Sequence, residues 1–167
     1  MKISKEFIQQ SIYYLSLNPP RIKKCLQQLS EEQVWKKPNA NTNSIGNLIL
    51  HLCGNITQYA HSSLGNEKDE RQRDLEFSAP GGFSKKELLE KITTVTAKAI
   101  LMIENIPDTE LLRNRKVQGF DHTGISIIIH ITEHFSYHVG QIAFFTKLLC
   151  DKDLGFYADC NLNTLNG

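Results

Sequence analysis

Apolar residues recur along this chain at spacings of three and four, the period of a helix that hides one face. Ile22, Cys25, Leu26 and Leu29 form the first such stripe. Pro19 and Pro20 ahead of it suit a first helical turn, where their missing N–H groups have no partner to lose. A further helical stretch over residues 5–17 precedes them, and the prolines predict a kink or break between the two. The second segment starts at an Asn43 or Ser44 N-cap and runs through Ile45, Leu48, Leu52 and Tyr59 to a Gly65-Asn66 stop. Ser84 and Glu87 form a capping box at the head of the third, whose stripe Leu88, Ile92, Val95, Ala99, Met102 and Ile103 continues until Pro107. The fourth runs from Thr123 or Ser126 to Cys150 and carries Ile127, Ile131, Phe135, Ile142, Phe145 and Leu149.

No segment shows the alternation of a half-buried strand, although residues 115–120 can form a short extended piece before the last helix. The pattern therefore predicts an all-α, four-helix bundle. Residues 67–76 are dense in charges of both signs and read as a solvated loop, followed by a Pro80-Gly81-Gly82 turn. The connection over residues 65–83 is long enough to travel the whole bundle, so helices two and three need not be antiparallel neighbours.

Composition narrows the class without naming a function. A chain of 167 residues is the size of one domain, and a single unit over 1–167 is expected. The net charge of +1 gives no bulk field to recruit nucleic acid or an anionic membrane, so neither is an expected partner. With 40% hydrophobic and 22% charged residues the chain resembles an ordinary globular protein. Its polar start lacks the apolar run of a secretory signal, and the most apolar stretch, 125–131, is interrupted by Ser126 and His130. A cytoplasmic address is the expectation. Cys25, Cys53, Cys150 and Cys160 are scattered, with no Cys-x-x-Cys pair, and read as reduced thiols.

The histidines change the picture. Six are present, at 51, 61, 122, 130, 134 and 138. Random placement would give only about 0.2 pairs at i,i+4, yet His130, His134 and His138 supply two such pairs. On a helix these three drift about 40° per step. Projected from His134, they share the stripe of Ile127, Ile131, Phe145, Leu148 and Leu149, whereas Lys147 and Ser136 fall opposite. The row therefore points into the bundle.

A buried imidazole must satisfy two ring nitrogens, and leaving one unpaired costs about 1–3 kcal/mol. A metal ion resolves this by taking the lone pairs of neutral imidazoles. Two ligands on one helix need a third from a facing helix, and His51 is the best candidate. Asn47, Asn55 and Tyr59 share its side of the second helix, and with His130 and Gln141 they are the expected pocket residues. His61, near a helix end, and His122, in a loop, read as surface residues. His130-Ile-Thr-Glu-His134 also fits the H-x-x-E-H pattern of inverted zincins. That chemistry needs a carboxylate ligand well downstream, where the chain has only Asp151, Asp153 and Asp159, so this reading is set aside.

The run 130–142, HITEHFSYHVGQI, together with 43–52, NSIGNLILHL, resembles the DinB superfamily of DinB/YfiT-like metalloenzymes. Arg21-Ile22-Lys23-Lys24-Cys25-Leu26 and Val117-Gln118-Gly119 look like an uncharacterised branch of it. The resemblance implies a four-helix bundle of up-down-down-up course and a metal site of His51, His134 and His138, with His130 outside the triad. It also implies relatives that are transferases or isomerases dependent on low-molecular-weight thiols, and no signature in this chain selects among those activities.

Three imidazoles leave at least one coordination position open, the arrangement of a catalytic rather than a closed structural site. The leading expectation is a divalent-metal enzyme (Ni, Zn, Mn or Fe) that activates a low-molecular-weight thiol, or water, for attack on a small electrophile. Its partners would be a small-molecule substrate and, since small bundles often pair through helix faces, a second copy of the chain. No side chain can be assigned as the general acid or base. The alternatives are a non-catalytic metal- or ligand-binding bundle and a structural module whose histidines only form hydrogen bonds.

Overall fold

The computed structural model of the protein describes residues 2–167. Helix α1 (Lys2–Ser16) stops at Leu17, and α2 (Asn18–Gln28) restarts with Pro19 and Pro20 in its first turn, so the expected break falls where the prolines require it. A short α3 (Glu31–Trp35) follows. Helix α4 (Ile45–Ile56) opens on Ser44, whose side chain accepts from Asn47 N in a capping box, and it runs on into a π-helical stretch, Thr57–Leu64. The 65–83 connection contains a one-turn helix, α5 (Arg73–Ser78). Helix α6 (Lys85–Glu104) carries the Ser84–Glu87 capping box, and α7 (Asp108–Leu112) precedes a hairpin of β1 (Asn114–Val117) and β2 (Phe120–Thr123). Helix α8 (Gly124–Cys150), capped by Thr123, ends the helical body.

Helices α6 and α8 each pack against α1, α2 and α4. Between them lie Leu15, Ile22, Leu26, Ile49, Leu52, Leu88, Ile92, Ile103, Ile127, Phe135 and Ile142, each no more than 3% exposed. Each such side chain contributes about 1.5–3 kcal/mol by leaving water, which is why the i,i+3,i+4 stripes fix the architecture. Leu148, assigned to the inner stripe by projection, is 66% exposed. Fully buried Ile142 and Thr146 set the inward face at that end instead, where Cys150 Sγ reaches the carbonyl of Gln28.

The hairpin is regular where the sequence suggested only an extended piece. Gln118 and Gly119 make its two-residue turn with φ of 52° and 84°, the left-handed pair that matches strand twist. Trp35 closes the other end of the molecule: its ring leaves no room for a side chain at Gly46, and Nε1 donates to Phe83 O at 3.0 Å. Among the described residues no helix is long and apolar enough to cross a membrane.

Candidate metal centre

Helices α4 and α8 face each other along a seam of histidines. His134 and His138 lie one turn apart on α8, and α4 brings His51 against them. His134 Nε2 is 3.2 Å from His51 Nε2 and 3.2 Å from His138 Nε2, and ligand atoms of all three lie within 4.8 Å of one another. Nitrogens sharing an ion at about 2.0–2.1 Å stand roughly 3.0–3.4 Å apart, so the two short separations match common ligation.

Hydrogen bonds assign the protons. His51 Nδ1 is 2.9 Å from Glu76 Oε2, and His138 Nδ1 is 2.7 Å from Gln141 Oε1. Arg71 Nη2 also lies 3.1 Å from His51 Nδ1, but it donates to the nearer Glu76 Oε2 at 2.8 Å; with the carboxylate and the Gln141 amide oxygen as acceptors, each Nδ1 donates and each Nε2 is left with a lone pair directed at His134. His134 cannot answer both. A proton on its Nε2 satisfies one neighbour and leaves two lone pairs in opposition at the other, while its buried Nδ1 has no partner. A cation between the three nitrogens removes that conflict, and on this accounting the residues fit a metal ion.

Burial, then the positive potential of His138, His51, His130 and Arg71, pushes His134 down to about 3. His138 is lowered as well, by burial first and by His51, against the hydrogen bond to Gln141. Both rings are therefore unprotonated at neutral pH, as ligation requires.

The 65–83 connection supplies what the sequence reading missed. Residues 67–76 were expected to be a solvated loop, yet the Arg71 and Glu76 side chains are only 4% and 10% exposed. Arg71 grips the Glu76 carboxylate through Nε (2.7 Å) and Nη2 (2.8 Å), and Glu76 in turn holds His51. Burial raises the Glu76 pKa, but hydrogen bonds from Arg71 and His51 outweigh it and the net value falls below the ordinary one. A carboxylate behind a ligating histidine orients the ring and raises its basicity. Charge density alone hid this, because an isolated stretch of mixed charges has no period from which burial can be read.

The other pocket candidates divide. Gln141 orients His138. Asn55 Nδ2 lies 3.2 Å from His130 Nε2, and Tyr59 stacks on the His130 ring with centroids 4.1 Å apart while its hydroxyl donates to Gln118 at 3.0 Å. His130 thus stands beside the triad, its ring 5.3 Å from that of His134. Asn47 was expected in the pocket wall, but its amide is fully committed: Oδ1 accepts from Ser44 N and Oγ, and Nδ2 donates to the carbonyls of Glu76 and Ala79. His61 is no surface residue. It is 4% exposed, within the π-helical stretch, with Nε2 3.0 Å from the Val95 carbonyl. His122 is half-buried against Tyr59 and pairs with Ser126.

The fold is DinB-like. A solved structure of a DinB-like protein, YjoA of Bacillus subtilis, matches with a TM-score of 0.68, covering 89% of this chain and 96% of that one at 18% identity. The chain belongs to DUF1572, described as a family of proteins of unknown function, whose match spans residues 2–158. No curated protein matches it.

Proposed function

We propose that this protein is a divalent-metal-dependent enzyme in which His51, His134 and His138 hold the ion and a low-molecular-weight thiol, or water, attacks a small electrophile. One observation carries the reading: three imidazoles converge through Nε2 atoms, two of them freed by Nδ1 bonds to Glu76 and Gln141. A divalent ion bound there supplies Lewis acidity and lowers the pKa of a thiol or water placed at its open position. The chain's own part is preparatory. Unprotonated His134 and His138 offer ligand nitrogens without first releasing protons at neutral pH. Phe77, with its ring 4.7 Å from that of His51, and Tyr137, 5.0 Å from that of His138, place aromatic surface beside the site.

An all-imidazole set accepts Ni, Zn, Mn or Fe. The proposal includes a small-molecule substrate, one domain, a cytoplasmic address and a homodimer. Exposed Tyr137, Phe144 and Leu148 on α8 offer that dimer an apolar face, which sedimentation equilibrium tests. The function is tested in two stages. Elemental analysis of untagged, reconstituted protein should find close to one equivalent of metal, and less than about a tenth of an equivalent overturns the reading. Thiol consumption with a panel of electrophiles is then compared between the parent and His134→Ala, where equal rates end the enzyme claim.

A further inference from the structure

Gly54 lies one turn after His51, inside the continuous helical run of α4 and the π-helical stretch, where glycine is a poorer helix former than alanine. A Cβ at this position would overlap Glu76 Oε1 and come within 2.9 Å of Arg71 Nε. The missing side chain is therefore the seat of the Arg71–Glu76 pair. Asn47, one turn before His51, holds the same segment by its backbone, donating to Glu76 O and Ala79 O at 2.9 Å each. Arg71 Nη1 adds a bond to Gln58 Oε1 at 2.9 Å. Along α4 and the start of the π-helical stretch, then, positions 47, 54 and 58 dock the connection, and His51 lies among them.

We infer that the 65–83 connection is a clasp on the metal centre, whose Arg71–Glu76 pair keeps the His51 proton on Nδ1 and so sets the triad's affinity for a divalent ion. The inference rests on the three-histidine reading. Arg71 and Glu76 are positioning residues: Glu76 Oε2 accepts the Nδ1 proton, Arg71 Nη2, 3.1 Å from the same nitrogen, donates to that carboxylate, and neither reaches the ligand nitrogen. When the clasp is undocked, the His51 ring can rotate and its proton can move to Nε2, where it blocks the ion. Coupling is reciprocal, so an ion that prefers the docked form must also hold the connection closed.

The experiment has three readings. In metal-free, 15N-labelled protein, long-range proton–nitrogen correlation shows which ring nitrogen of His51 is protonated. The parent should show Nδ1–H, Glu76→Met a shift towards Nε2–H, and Glu76→Gln, which keeps an acceptor oxygen, a return to Nδ1–H. Chelator competition with zinc should find Glu76→Met and Gly54→Ala weaker than the parent by about 10- to 100-fold, with helix content unchanged by circular dichroism. Hydrogen exchange of residues 67–79 should slow on zinc addition in the parent and not in Glu76→Met. Nε2–H on His51 in the parent, or a Glu76→Met variant that binds zinc as tightly as the parent, overturns the clasp and leaves the triad standing. A parent that takes up none of zinc, nickel, manganese or iron overturns both.

Discussion

Two groups of rings share the seam between α4 and α8, and they are built on opposite principles. In the triad, His51, His134 and His138 meet through nitrogens 3.2 Å apart, with interplanar angles of 59° and 69° between His134 and its neighbours. A turn away, His130 meets Tyr59 through its face, at 25° and 4.1 Å. Stacking satisfies the apolar faces of rings and leaves their edge nitrogens to ordinary partners such as Asn55. Convergence through edges brings lone pairs together and is stable only when something positive lies among them. The same residue type four positions along one helix thus serves packing at His130 and points to ligation at His134.

The largest effect expected from breaking this contrast is at His134. His134→Ala should lose the metal, and the stabilisation the parent gains from it, about 2.7 kcal/mol at a hundred times Kd, should vanish from thermal melts with and without ion. Acid should separate the groups next. His134 titrates near 3 in the fold against an ordinary 6.5, so the unfolded chain takes up the proton first as pH falls. The metal-free protein therefore keeps this contribution above pH 6.5 and loses it between 6.5 and about 3, with Glu76 acting in the same direction below its ordinary 4.5. Urea midpoints at pH 7 and pH 5 should drop more in the parent than in His134→Gln, and parallel drops would remove His134 from the account. On the packing side, Tyr59→Leu should cost about 2 kcal/mol through the lost stack and the lost bond to Gln118, with metal stoichiometry unchanged. The smallest effect belongs to His130→Gln: about 1 kcal/mol or less in urea unfolding, and metal uptake equal to the parent. Loss of metal in that variant would erase the distinction between stack and triad.

Local signals made most of the fold and part of the site legible. The i,i+4 spacing of His134 and His138 is set within a single helix, and the capping boxes at Ser44 and Ser84 are three-residue patterns. His51 followed because a metal site needs a facing ligand. The Arg71–Glu76 pair could not be reached in this way, since its burial depends on an irregular segment folding back onto α4. One trace of it was present in the sequence: a mid-helix glycine, Gly54, one turn from a histidine on the inner face, marks a close approach by something. His61 was misread because a helix end was equated with exposure, whereas the π-helical stretch turns Tyr59, Ala60 and His61 inward together. The hairpin was missed because its turn is Gln-Gly rather than the stronger Asn-Gly signal.

Trp35 is the chain's sole tryptophan, and it bridges Gly46 at the head of α4 and the carbonyl of Phe83, where the connection rejoins the bundle. The protein therefore carries a native fluorophore at the joint of the clasp. Its emission maximum reports, without any label, whether that joint loosens or tightens as a cation is titrated in.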